Sequence, residues 1–244
     1  MIILIGTGHV FNLSQGLLNI FDEKQPEILC VELDKQRYDA LMIKQSNPDE
    51  YKDMRRDVPI IYKLLSRFQD GMAKEYGVVA GEEMLTTINY AKSHQLPVAF
   101  IDMNAQRLFS RMLKSMSFSE RIKLLFSGFA GFFVNKKRVE KEIGKIEKNF
   151  DKYLDEIGNK FPTIKRVLID ERNEYMAKQL AVASEKYERV VAVIGDGHIP
   201  GISEILTKKE INFDTIRLKE IRNQDLSKSD SATASFGFDY TDPS

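Results

Sequence analysis

The chain opens on an almost wholly apolar run, Met1 to Ile5, which stops at Gly6-Thr7-Gly8-His9. A short continuous apolar run ending in a glycine turn is the pattern of a strand buried on both faces of a parallel sheet. Helical spacing follows in Leu17, Leu18, Ile20 and Phe21, with Asn12 or Ser14 as the cap and Pro26 as the stop. Ile28–Leu33 then gives a second buried strand and Lys35–Ile43 a second helix. Strand, helix, strand, helix is the opening of a parallel α/β sheet.

The rhythm changes after that. From Asp49 to His94 the pattern is helical, with starts at Pro48 and Pro59 and breaks at Gly71 and Gly77. A third strand, Val98–Ile101, ends at Asp102, and no strand pattern occurs from Ala105 to about Ile169. Phe118-Ser119-Glu120 begins an amphipathic helix, and Val139, Ile143, Ile146, Phe150, Tyr153, Leu154 and Ile157 recur at helical spacing. Residues 105–165 are therefore expected to form an all-helical insertion beside the sheet. Phe126, Phe129, Phe132 and Phe133 need a partner there, so a lid or a homodimer surface is expected.

A further helix holds Ile169, Met176 and Leu180, and Val190–Ile194 is a fourth buried strand that runs into Gly195-Asp196-Gly197-His198. Ile199–Leu206 is helical behind Pro200, and Asp214–Leu218 reads as an edge strand. The expected fold class is α/β: a mainly parallel central sheet flanked by helices, in one domain over residues 1–226. Residues 227–244, rich in Ser, Asp, Thr and Gly, are expected to be a mobile tail.

Composition narrows the partners. Lys+Arg and Asp+Glu number 36 each, so the one-sided basic charge of a nucleic-acid-gripping protein is absent. The stretch around Lys136-Lys137-Arg138 alternates with Glu140, Glu142 and Glu147, which is a solvated helix face. The single cysteine, Cys30, excludes an intrachain disulfide and sits in an apolar run, where a thiol nucleophile is not expected. No run reaches the 18 or so apolar residues of a transmembrane helix, and no basic leader precedes the first strand; a cytoplasmic protein is expected.

Two of the three histidines occupy matching places. His9 and His198 each follow a buried strand and a Gly-x-Gly turn, and ligands of open α/β sheets bind outside the carboxyl ends of the strands. Gly6, Gly8, Gly195 and Gly197 are expected to adopt positive φ and turn backbone N–H groups toward a ligand. Glu32 and Asp102 end the second and third strands at the same rim, and Glu82 and Glu83 open a helix after Gly81. A carboxylate in a buried strand must be paired or bound to a cation, so Glu32 is either a salt-bridge partner of Arg37 or Arg172 or a ligand. Its strand is expected to lie next to the one carrying His9. Two histidines with one or more carboxylates suit Zn, Mn or Fe. The H-E-x-x-H, G-x-x-x-x-G-K-[ST] and G-x-S-x-G motifs are absent, and Gly6-Thr7-Gly8-His9-Val10-Phe11 is not a dinucleotide fingerprint. His94 reads as a surface residue at a helix end.

Five blocks in order resemble the TraB/PrgY (pheromone shutdown) family. They are Gly6-Thr7-Gly8-His9-Val10; Val31-Glu32-Leu33-Asp34 with Arg37-Tyr38; Gly81-Glu82-Glu83-Met84; Glu171-Arg172-Asn173 with Met176-Ala177; and Gly195-Asp196-Gly197-His198-Ile199-Pro200-Gly201. The family is grouped with GumN and Tiki-type metallopeptidases and, more distantly, with the EreA/ChaN group. The resemblance implies a site of His9, His198, Glu32 and Arg172, with Glu83 matching a further family acid. It departs from the pattern at Asp196, where Ala is common, and the hydrophobic C-terminal region of many prokaryotic members is not expected within these residues.

The expected function is a metal-dependent hydrolase acting on a peptide, such as a peptide pheromone, or a small ester, with a divalent Mn, Zn or Co ion. His9, Glu32 and His198 would be its ligands, Glu83 the base or an extra ligand, and Arg172 the group that holds a carboxylate or an oxyanion. The rival is a module that binds or sequesters a peptide or haem in the same pocket without turnover.

Overall fold

The computed structural model describes residues 1–8, 13–47, 81–123 and 158–222. The expected helices across 49–80, the phenylalanine-rich centre of the insertion, the tail and His9 itself lie outside the described residues.

Five parallel strands form one sheet: β1 (Ile2–Thr7), β2 (Ile28–Val31), β3 (Val98–Phe100), β4 (Val190–Gly195) and β5 (Phe213–Ile216). The helices that bear on the site, among the described residues, are α1 (Ser14–Lys24), α2 (Lys35–Ser46), α3 (Glu82–Ser93), α4 (Ala105–Ser115), α5 (Pro162–Lys165), α6 (Glu171–Ser184) and α7 (Ile199–Lys208). The apolar runs are strands because both faces of the sheet are covered. Ile3, Ile5, Leu29, Val31, Val191 and Val193 pack under α1 and α3. The alternate residues, Ile2, Leu4, Cys30, Val190, Ala192 and Ile194, pack under α6 and α7. The period of two along each strand sends neighbouring side chains into the two separate cores. Cys30 is fully buried, and burial pushes its thiol up to about 12, in keeping with a core residue.

The strand order is β3-β2-β4-β1-β5. This corrects one expectation: Glu32 follows a strand that lies between β3 and β4, not beside β1. The connection out of β1 crosses to β2 by way of α1 on one face, and that out of β4 crosses to β5 by way of α7 on the other. Adjacent strands whose connections leave toward opposite faces define a topological switch point, where a crevice opens at the carboxyl ends. Here those strands are β1 and β4, and Thr7 is in register with Gly195. The two glycine turns therefore leave neighbouring strands side by side, and Thr7 Oγ1 donates to the Ile194 carbonyl at 3.2 Å.

Several local details differ from the sequence expectation. Ser14 is the first residue of α1 and not its cap; Leu13 holds the cap position, and Ser14 Oγ lies 3.1 Å from Thr86 Oγ1 of α3. Asp34 caps α2 by accepting from the N–H groups of Gln36 and Arg37. His94 closes α3, exposed and stacked on Tyr90 with ring centroids 3.9 Å apart. In the expected insertion, the described residues 105–123 and 158–165 contain no strand. Leu108, Met112 and Met116 there form a small third core with Val167. Among the described residues no helix is long and apolar enough to cross a membrane.

Candidate functional site

Glu32 stands one residue beyond β2, where its N–H still donates to the Val193 carbonyl of β4 at 3.0 Å. The ladder thus holds its backbone at the switch-point rim and leaves its side chain on the α6 face. That carboxylate is 7% exposed, so each oxygen must be satisfied within the protein. Oε2 accepts the Gly195 N–H at 2.6 Å, and Oε1 accepts Arg172 Nη2. His198 Nε2 lies 3.4 Å from Oε1. Burial alone would raise the pKa of Glu32. The charges of His198 and Arg172, with hydrogen bonds from His198 and the Gly195 N–H, instead hold it well below the usual carboxylate range.

Arg172 and Asn173 begin α6. Helices that return antiparallel to the strands place their first turns at the strands' carboxyl ends, and consecutive helical residues diverge by about 100°. Arg172 therefore points to the ends of β2 and β3, and Asn173 to the turn after β4. The guanidinium makes a two-pronged pair with Asp102, from Nε to Oδ1 and from Nη2 to Oδ2, both 2.9 Å. Nη1 donates to the Leu168 carbonyl at 3.3 Å. Arg172 is so largely engaged by protein groups, and the two carboxylates raise its already high pKa further. The Arg37 alternative for Glu32 is not taken up; Arg37 Nη1 lies 3.5 Å from Asp102 Oδ2 instead.

His198 ends the 3-10 turn Asp196–His198 and is 6% exposed. Its Nδ1 lies 2.6 Å from Asn173 Oδ1. An amide oxygen accepts only, so this contact places a proton on Nδ1 and turns Nε2 toward the Glu32 carboxylate. Asn173, 5% exposed, is the residue sequence reasoning missed, although it stands beside Arg172 in the family block.

The glycines serve a different purpose from the one expected. Gly195 has φ −59°, not a positive φ, and its N–H is given to Glu32. Its missing side chain matters because a Cβ there would stand 3.3 Å from Glu32 Oε2. A Cβ on Gly6 would overlap Asp196 Oδ1. Asp196 needs that space. It accepts from Arg217 Nε at 2.9 Å, from Arg217 Nη2 at 2.7 Å and from the Leu218 N–H at 3.0 Å, which ties the second glycine turn to the chain leaving β5. Burial opposes ionisation of Asp196, but Arg217 and the Leu218 N–H lower its pKa.

Glu83 is buried in the first turn of α3, at the same end of the sheet but on the face opposite α6. Glu32, Arg172 and His198 are thus brought into one cluster with Asp102 and Asn173. Gly6 and Gly195 adjoin it through Asp196 and Glu32. Gly8 follows β1, Gly197 precedes His198, and His9 is outside the described residues.

Two ligands of one tetrahedral ion, each at about 2.1 Å, stand ~3.4 Å apart. His198 Nε2 and Glu32 Oε1 have that spacing. Among the described residues, no group of three or more His, Cys, Asp or Glu side chains is arranged to hold a metal. The pair fits two positions of a divalent site, and a third donor has to come from elsewhere.

Known proteins resemble this chain over most of its length. An uncharacterized protein of Methanocaldococcus jannaschii is 29% identical over 98% of this chain and 62% of its own length. TraB domain-containing proteins of Mus musculus and Homo sapiens are 21% and 20% identical over 82% of this chain and 61% of theirs. The chain spans about three fifths of the length of these relatives. The model of the TraB/PrgY/gumN family matches residues 1–212, and the chain belongs to that family.

Proposed function

We propose that this chain is a metal-dependent hydrolase domain acting on the carbonyl of a peptide or a small ester, with its centre at His198 and Glu32. The observation that carries the reading is the Asn173–His198 contact at 2.6 Å beside a carboxylate. A histidine that donates one ring N–H to an oxygen acceptor and turns the other nitrogen to an anionic oxygen has the arrangement of a metal-ligating imidazole.

His198 would present Nε2, and Glu32 would present Oε1 with its negative charge kept ionised by Arg172. His9, two residues after Thr7 in the chain, is the proposed third donor, and Glu83 the proposed base. Arg172, bound on both sides by Asp102 and Glu32, would hold the carboxylate in place. A divalent ion, Mn, Zn or Co, would supply polarisation of the scissile carbonyl and a lowered pKa for its water. The closed contacts around Glu32 would keep bulk water from its oxygens and strengthen each charge interaction there.

The test is metal titration by calorimetry on tag-free protein, together with hydrolysis assays on short peptides and esters. Binding of one Zn or Mn equivalent, weakened at least tenfold in both His198→Ala and Glu32→Gln, is expected. A parent protein without affinity for any of the three metals would overturn the reading. A second reading then stands, a binding or sequestering module for a peptide or haem. It is favoured by one observation: Arg172 already occupies the Glu32 oxygen that a metal would use.

A further inference from the structure

We infer that Asn173 and Gly201 form one positioning device that sets the tautomer of His198, an inference that rests on His198 belonging to the proposed site. Asn173 touches no reacting atom; it acts through the imidazole. Its Oδ1 faces His198 Nδ1 at 2.6 Å, and both residues are at least nine-tenths buried, so water cannot replace this partner.

Gly201 explains how the amide gets there. It lies in the first turn of α7, three residues after His198, and faces α6 across the helix pair that covers one side of the sheet. A Cβ at this position would overlap Asn173 Nδ2 and crowd its Cγ at 3.0 Å. The glycine requirement is thus steric: it leaves room for the Asn173 side chain between α6 and α7. The φ of a residue in a regular helix would suit alanine equally well, so backbone freedom does not account for glycine here. Two blocks separated by more than 20 residues in the chain, Glu171-Arg172-Asn173 and Gly195 to Gly201, become one unit in the fold.

An isolated imidazole in water favours the proton on Nε2, which would turn an N–H toward Glu32 and block that nitrogen as a donor of electrons. Glu32 Oε1, 3.4 Å from Nε2, favours that same proton, and Asn173 opposes both preferences by securing a proton on Nδ1. Arg172, its neighbour on the helix, fixes Glu32 in the same way. One helical turn therefore orients both members of the His198–Glu32 pair.

The experiment is nitrogen NMR on the full chain labelled with 15N-histidine, with His198 assigned through His198→Gln. In the parent protein a protonated, pyrrole-type Nδ1 is expected. Asn173→Ala and Gly201→Ala should each shift His198 to a mixture of tautomers, while Asn173→Asp, which keeps an oxygen acceptor, should retain the parent pattern. A structural role alone would not make the ring signal follow the acceptor in this way. Zinc affinity should fall 10- to 100-fold in Asn173→Ala and Gly201→Ala. A pyridine-type Nδ1 in the parent, or an unchanged Nδ1–H in Asn173→Ala, would overturn the inference. Should Asn173→Ala fail to fold, Gly201→Ala and Asn173→Asp carry the same comparison. Absence of zinc binding in the parent would remove the hydrolase reading, yet the tautomer comparison would still decide the role of Asn173.

Discussion

Two buried glutamates in this protein solve the same problem in opposite ways. Glu32, at the switch point, is neutralised by cations: Arg172 holds one oxygen, with His198 beside it, and a single backbone N–H takes the other. Glu120, 4% exposed, is held by neutral donors alone among its hydrogen bonds. It accepts from the N–H of Ser117 at 2.9 Å and of Thr163 at 2.8 Å, and from both of their hydroxyls at 3.0 Å. Burial pushes the Glu120 carboxyl up, but those four donors outweigh it and bring the pKa to about 2. Ser117 and Glu120 form a capping box at the start of helical residues 118–123, and Glu120 reaches across to cap the start of α5. Fixed neutral donors make a structural fastener. Glu32 depends instead on the charges of an arginine and a histidine.

The contrast can be broken most forcefully at Arg172. Arg172→Ala leaves Glu32 and Asp102 buried with their main cation gone, which should cost about 3–5 kcal/mol. Urea denaturation measures it, and a loss below about 1 kcal/mol would show that the two carboxylates do not depend on this cation. The next effect belongs to Glu120. Its folded pKa of about 2 lies below the ~4.3 of an unfolded glutamate, so the unfolded state binds more protons between these values. Stability from this group is full above pH ~4.3 and is lost as pH falls toward 2, amounting to at most about 3 kcal/mol. Glu120→Gln should remove that acid dependence, and denaturation curves of both proteins across this window would reveal whether the slope stays.

A third carboxylate sharpens the comparison from the solvent side. Asp196 resembles Glu32 in pairing with an arginine, but its bridge to Arg217 is open to water, with 36% and 25% of the two side chains exposed. Asp196→Ala should therefore cost about 1 kcal/mol or less, mostly by freeing the Leu218 N–H. Thermal melting at low and high salt checks it. A cost equal to that of Arg172→Ala would mean that burial is not what separates the two sites.

Much of this arrangement was legible along the chain. The apolar runs at Met1–Ile5, Ile28–Leu33 and Val190–Ile194 each give a strand because their length and apolar character fit a two-sided core, with Ile28–Leu33 ending its strand at Val31, before Glu32; the edge strand expected at Asp214–Leu218 is found at Phe213–Ile216. Glu32 and Asp102 announced themselves as acids at strand ends, since a charge in such a place demands a partner. Asn173 gave no such signal, because an asparagine in the first turn of a helix is ordinary on any surface. The glycines were visible, but their purpose was not: Gly6 and Gly201 are empty for the sake of Asp196 and Asn173, residues far from them in the chain.

What the sequence determined by itself was local: which segments are strands and helices, where they stop, and which acids and histidines gather at strand ends. Periodicity and turn chemistry act over a few residues and need no knowledge of neighbours. Only the tertiary structure decided that β4 lies between β1 and β2, that Arg172 rather than Arg37 meets Glu32, and that Asn173 reaches His198. Strand order depends on which face each connecting helix covers, and hydrogen bonds across 25 or 140 residues exist only once two helices and a sheet have packed together.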